Sequence, residues 1–224
     1  MGEIRGIFEV HITVGTDGDS LHRLWRYCSV RPTIKPVLAV ADSGVVKNQY
    51  MISKYKAGSA SQMISSAKLM ASQLKSAGLA VIRVKVEAMA NNDGVPRSSA
   101  DYKEYAANNA AVNPKPYFEF HTKIILGKDH VYEDLQKTLA NFQNEYKTDQ
   151  VYANVSVNLC GSKVPLMTLR IYEMGRDAAY EIKDKLFHLV KSQGFKMDGK
   201  TQYEFSIYDS NETVDHGWLL PAKL

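Results

Sequence analysis

Apolar and polar residues alternate through Ile7-Phe8-Glu9-Val10-His11-Ile12-Thr13-Val14, and again through Tyr117-Phe118-Glu119-Phe120-His121-Thr122-Lys123-Ile124. Side chains alternate across a strand. Phe8, Val10, Ile12 and Val14 therefore share one face, and Glu9, His11 and Thr13 the other. In the second stretch Phe118, Phe120, Thr122 and Ile124 oppose Glu119, His121 and Lys123. Both copies carry Phe-Glu-x-His, with the histidines 110 positions apart in a chain of 224 residues. Each copy offers an apolar face for a core and an opposite face bearing a carboxylate, an imidazole and a third polar group.

The elements between these strands follow the same logic. A turn at Gly15 to Asp19 leads to a short helix that Asp19 or Ser20 can cap, with Leu21, Leu24, Trp25 and Cys28 on one side. Val37 to Ala41 and Gln49 to Lys56 read as strands joined by a turn at Asp42-Ser43-Gly44. Met63, Ala67, Met70, Ala71 and Leu74 recur at helical spacing, and Gly78 ends that helix. Val81 to Met89 alternates Ile82, Val84 and Val86 against Arg83, Lys85 and Glu87. After a connector the order repeats. Asp129 is the expected cap of a helix bearing Val131, Leu135, Leu139 and Phe142, and strands follow at Val151 to Leu159 and Leu166 to Tyr172, with a turn at Gly161-Ser162. A helix over Asp177 to Gln193 and a last strand over Gln202 to Asp209 complete the second half.

The halves align further. Ser76-Ala77-Gly78 matches Ser192-Gln193-Gly194, and at the same offset Lys54 falls on Arg170. The expectation is an α+β chain of two ferredoxin-like β-α-β-β-α-β halves, an internal duplication. Residues 1–92 form the first half, 93–115 a connector or lid, 116–209 the second half and 210–224 a C-terminal tail, whose Trp218-Leu219-Leu220-Pro221 docks on the surface. With helices on one face of each antiparallel sheet, the bare faces turn toward each other across a central cleft. Strand parity puts Glu9, His11, Thr13, Lys54, Lys56, Arg83, Lys85 and Glu87 on one bare face. It puts Glu119, His121, Lys123, Thr168, Arg170, Tyr172, Gln202 and Glu204 on the other.

Composition sets bounds on this picture. A hydrophobic share of 45% and a charged share of 23% are those of a globular protein. A net charge of +4 mildly favours anionic ligands without demanding nucleic acid. Two cysteines, Cys28 and Cys160, argue against a disulfide framework and for a reducing, cytoplasmic setting. No apolar run reaches the ~20 residues that span a bilayer, and Met1 to Arg5 does not open a signal peptide.

The chemistry lies on the bare faces. Two imidazoles with a cation beside each, Lys54 and Arg170, suit a phosphate. Here His11-Ile12-Thr13-Val14 resembles the His-x-Thr/Ser strand motif of the 2H phosphoesterases, a bilobal superfamily that includes LigT-like RNA ligases and cyclic phosphodiesterases. The resemblance implies His11 and His121 as a general acid/base pair acting on a cyclic or bridging phosphodiester, with no metal or other cofactor. It implies Thr13, Lys123, Lys54 and Arg170 around the phosphate, with Glu9, Glu119 and Tyr172 in support. The implied partner is a phosphorylated small molecule or an RNA end. The second copy departs from the motif, because Lys123 stands where the family has a hydroxyl residue.

Two other functions fit the same faces. One is a binding protein for a nucleotide, RNA end or other anion that keeps the scaffold without the reaction. The other is a metal site, because Glu9/His11 and Glu119/His121 are i, i+2 pairs whose four donors could converge. Cross-strand pairing of Glu9 with Lys54 or Lys85, and of Glu119 with Arg170, is the purely structural account.

Overall fold

A computed structural model describes residues 2–127, 131–146, 150–160 and 164–221. The chain is α+β. Its first half contains β1 (Arg5–Val14), α1 (Ser20–Ser29), β2 (Lys35–Ala41), β3 (Asn48–Ser59), α2 (Ala60–Ser76) and β4 (Val81–Met89). α3 (Ser99–Asn109) follows in the connector. The second half contains β5 (Tyr117–Ile125), α4 (Tyr132–Tyr146), β6 (Val151–Asn158), β7 (Pro165–Tyr172), α5 (Arg176–Ser192) and β8 (Lys196–Asp209). The expected cap Asp129 and turn Gly161-Ser162 lie outside the described residues.

Local sequence sets the helix ends. Ser98 and Asp101 cap α3 reciprocally, through Ser98 N–H to Asp101 Oδ2 at 2.8 Å and Asp101 N–H to Ser98 Oγ at 3.1 Å. Gly78 and Gly194 follow α2 and α5 at φ of 79° and 86°, values that favour glycine. α1 turns differently from its expected face: Leu24, Tyr27 and Cys28 are buried, and Trp25 is 46% exposed.

The strands form one closed antiparallel barrel in the order β1-β3-β2-β6-β7-β5-β8-β4. The expectation of two sheets facing each other across a cleft is corrected here. β2 pairs with β6 through Ala39↔Asn158 to Ala41↔Ser156, and β4 pairs with β8 through Lys85↔Asp209 to Met89↔Glu204. The physical reason is that edge strands leave unpaired N–H and C=O groups, and joining the edges of both halves satisfies them. Within each half the strand order is the same, β4-β1-β3-β2 and β8-β5-β7-β6.

The apolar strand faces point outward. Phe8, Val10, Ile12, Val84, Val86, Phe118, Phe120 and Leu169 pack in one core with the inner faces of the helices. The polar faces point into the lumen. The connector is packed rather than loose: Tyr102 donates to the Pro116 carbonyl at 2.7 Å, Tyr105 packs edge-on against Phe205 with ring centroids 5.2 Å apart, and the amide of Asn113 reaches the Ser206 carbonyl at 3.1 Å.

The tail does more than dock on the surface. After β8 a 3-10 turn, Glu212–Asp215, carries the chain across one end of the barrel. Leu219 joins Tyr117, Tyr152 and Tyr172 in a second apolar cluster, with Trp218 and Leu220 packed against it. The Val45 N–H donates to the His216 carbonyl at 2.8 Å and ties the tail to the turn between β2 and β3.

Candidate functional site: an acid-rich barrel lumen

Register places the side chains. His11 lies opposite Lys85 and Ser53, Glu9 opposite Glu87 and Tyr55, and Thr13 opposite Arg83 and Met51. On the other side Glu119 lies opposite Arg170 and Glu204, and His121 opposite Thr168 and Gln202. All these strands send alternate residues into the same lumen. Both histidines line one cavity of about 170 Å³.

Each imidazole sits over a pair of glutamates from neighbouring strands. His11 Nε2 is 3.3 Å from Glu9 Oε1 and 3.6 Å from Glu87 Oε2. His121 Nε2 is 3.4 Å from Glu119 Oε2 and 3.5 Å from Glu204 Oε2, and its Nδ1 is 3.0 Å from Thr168 Oγ1. The imidazoles are 17% and 16% exposed, whereas Glu87, Glu119 and Glu204 are at most 1% exposed. The histidines are thus the more exposed members of the cluster.

The lumen cations are already engaged. Lys85 Nζ is 2.5 Å from Glu119 Oε2 and 2.8 Å from Glu87 Oε1. Arg170 donates to Glu119 Oε1 at 2.8 Å through Nε and to Asp215 Oδ2 at 2.7 Å through Nη2. Arg83 donates to Asp209 through Nε at 2.9 Å and lies 2.9 Å from Asp215 through Nη1. Gln49 completes the shell of Asp215, donating to Oδ1 at 3.0 Å. Six carboxyl groups, those of Glu9, Glu87, Glu119, Glu204, Asp209 and Asp215, thus face three cations, Arg83, Lys85 and Arg170, among side chains that are all 10% exposed or less.

That imbalance leaves its mark on the acids. Both carboxylate oxygens of Glu87 and both of Glu204 lack a hydrogen-bond partner, as does His11 Nδ1. Lys85 is nevertheless an ion partner of Glu87, Nζ to Oε1 at 2.8 Å. Burial pushes the Glu87 carboxyl up to about 8, with Glu119 adding to the effect and Lys85 only partly offsetting it. Burial, then Glu87 and Glu9, raise Glu204 well above the usual range. Glu119 is held low, because Arg170 and Lys85 outweigh its burial. Burial lowers His11 to about 4, so it is neutral at pH 7.

The expected site residues divide. His11, His121, Thr13, Glu9, Glu119 and Arg170 all line the cavity. Tyr172 lies beneath it, its hydroxyl 3.4 Å from Arg170 Nη1 and 3.3 Å from Glu212 Oε2. Lys123 has the parity of His121, but its place on β5 is exposed. Lys54 is a correction: it pairs with Val10, so it projects from the outer face, and Ser53 occupies the lumen position beside His11. Lys56, opposite Phe8, is outside for the same reason. The error came from β3 itself, whose two faces, Met51-Ser53-Tyr55 and Tyr50-Ile52-Lys54, are equally mixed.

Sequence reasoning missed Asp209, Asp215, Tyr117, Gln49 and Ser53. Parity with Glu119 was sufficient to place Tyr117 inside. Asp215 had no such signal, because it belongs to the tail. Among the described residues, one group of metal-ligating side chains converges: Glu87, Glu119 and His121, whose donor atoms all lie within 4.8 Å of one another.

No known protein-family model matches the chain, and no curated protein does. Solved chlorite dismutase structures from Candidatus Nitrospira defluvii show a slight likeness. A double mutant has 13% identity and a TM-score of 0.32, covering 90% of this chain and 92% of its own. The imidazole complex has 13% identity and a TM-score of 0.31, covering 90% and 91%. Likeness at this level carries no argument about function.

Proposed function

We propose that the barrel lumen is a divalent-metal centre, with Glu87, Glu119 and His121 as ligands and His11, Glu9 and Glu204 around it. The observation that carries this reading is the convergence of Glu87, Glu119 and His121, whose donor atoms lie within 4.8 Å of one another, with Glu87 fully buried and Lys85 as its ion partner at 2.8 Å. With three cations for six buried carboxyl groups, Glu87 and Glu204 are pushed toward the neutral acid in the metal-free protein, and a divalent cation would supply the counter-charge that lets them ionise. Two carboxylates and one imidazole suit manganese, iron or zinc. A bound metal supplies Lewis acidity at the solvent-facing side of the site.

In this reading Lys85 is the resident counter-ion of the metal-free protein and moves aside when metal binds. His11 lines the same cavity beside these ligands, with Nε2 toward Glu9 and Glu87. The two-histidine phosphodiesterase and the anion-binding protein fit less well. A bare phosphate would meet six carboxyl groups with every lumen cation already paired, and Lys54 is not there to help. The matched strand order of the halves supports a duplicated origin for the two Glu-x-His strands.

The test is a metal count after equilibrium dialysis against Mn²⁺ or Zn²⁺. Stoichiometric metal in the wild type, lost in Glu87→Gln and His121→Ala with folding intact, supports the reading. Wild-type protein that retains no metal refutes it.

A further inference from the structure

The cavity has a second wall, unlike the first. Val37 and Ala39 on β2, Met51 on β3, Leu166 on β7 and Trp218 of the tail line it, and each keeps part of its surface uncovered. Three of the polar groups set among them are already engaged, and Ser156 and the side-chain N–H groups of Asn158 are the polar exceptions in this wall. Asn158 Oδ1 accepts from the N–H groups of Leu38 at 3.3 Å and Cys160 at 3.0 Å. Gln49 donates to Asp215, and the Trp218 indole donates to the Val155 carbonyl at 3.3 Å. Water against such a wall is poorly held, and its release favours an apolar guest. The volume, about 170 Å³, compares with roughly 150 Å³ for an engineered apolar cavity that accepts benzene.

We infer that the lumen takes a small amphiphile: one compact apolar body of six-membered-ring size against the Val37–Met51–Leu166–Trp218 wall, carrying a single oxygen head group directed at His11 and His121. The head-group half rests on the metal reading above, whereas the ring half rests on the wall alone. A ring bearing many hydroxyls is disfavoured, because each hydroxyl turned to this wall loses its water and finds little to replace it, at about tenfold in affinity apiece. A phosphate head is disfavoured because the lumen cations are paired.

Trp218 reports the test directly. The chain has two tryptophans, and the other, Trp25, is 46% exposed on α1. In a Trp25→Phe background, emission excited near 295 nm comes from Trp218. Cyclohexanol and myo-inositol share a six-carbon ring and differ in one hydroxyl against six, so the pair isolates the character of the wall. Each would be titrated into EDTA-stripped protein and again with Mn²⁺ present. The expected result is a saturable change with cyclohexanol in stripped protein, at least tenfold weaker or absent with inositol. Mn²⁺ should strengthen cyclohexanol severalfold. Ala39→Phe, which fills the wall, should abolish the signal, with Leu166→Phe as a second variant should the first fail to fold.

Inositol binding as well as cyclohexanol, or no saturable change with cyclohexanol, would overturn the inference. Cyclohexanol bound equally with and without a stoichiometric metal would overturn the head-group assignment. Failure of the metal reading shows separately, as an absence of bound Mn²⁺, and leaves the stripped-protein arm to decide the wall.

Discussion

Replacing Asp215 by asparagine should destabilise the whole barrel, because this one tail residue neutralises two lumen guanidiniums. Its side chain is 1% exposed and takes Arg170 at 2.7 Å, Arg83 at 2.9 Å and Gln49 at 3.0 Å. Asparagine preserves the shape but not the charge. Breaking a buried ion pair from one side typically costs 3–5 kcal/mol. Here Arg83 keeps Asp209 and Arg170 keeps Glu119, so the lower end applies, about 3 kcal/mol. That is a large part of the roughly 5–15 kcal/mol holding a domain together. At about 2–4 °C per kcal/mol for a chain of this size, Tm should fall by about 6–12 °C.

Urea unfolding of wild type and variant at pH 7 measures the difference, and the pH dependence adds a second check. Burial pushes the Asp215 carboxyl up, but Arg83 and Arg170 outweigh it and hold the group at about 2, against an ordinary 3.8. A depressed acid stabilises fully above its unfolded pKa and loses that contribution as pH falls from about 3.8 to about 2. Asp215→Asn should therefore lose less stability than wild type across that window. A loss under about 1 kcal/mol at neutral pH, or parallel acid profiles, would refute the claim that the tail acts as an electrostatic plug.

Other consequences are as direct. Lys85→Met should lower the stability of metal-free protein and raise Mn²⁺ affinity at least tenfold, because a unit charge about 4 Å away is worth roughly 4 kcal/mol at an effective dielectric near 20; isothermal titration measures this, and weaker binding would make Lys85 part of the site instead of its counter-ion. Gly175→Ala should destabilise by about 1–3 kcal/mol, since an added Cβ would lie 2.3 Å from the Ser98 carbonyl at the start of α5; thermal unfolding reads it. Hydrolysis of 2′,3′-cyclic nucleotides in EDTA should be undetectable, and turnover that disappears in both His11→Ala and His121→Ala would restore the metal-free two-histidine mechanism.

Much of the site was legible in the strands. The Phe-Glu-x-His pattern put Glu9, His11, Glu119 and His121 on one kind of face, and Arg83, Lys85 and Glu87 followed from the clean alternation of β4. What parity alone does not encode is closure. Whether β2 meets β6 and β4 meets β8 depends on pairing between strands far apart in sequence, and only closure turns two solvated faces into one desolvated lumen. That step changes the chemistry: faces that read in sequence as two imidazoles among several cations become, with Lys54 and Lys56 outside and Asp209 and Asp215 brought in, six acids against three cations in a buried space. Lys54 was misplaced because β3 has no clear apolar face, and Lys123 kept its parity but is exposed where the β5–β8 register shifts between Thr122 and Ile124. Asp215 and Trp218 lie in a tail with no periodicity, so nothing in the pattern announced that they close one end. Trp25 shows the same limit at α1, where Tyr27 takes the inward position.

The most direct measurement of the central claim is anomalous diffraction from Mn²⁺-soaked crystals at the manganese edge. One strong peak is expected inside the barrel, about 2.0–2.3 Å from oxygens of Glu87 and Glu119 and from a ring nitrogen of His121, with Lys85 displaced from its position between the two carboxylates. A lumen with no peak and Lys85 still between Glu87 and Glu119 would contradict it.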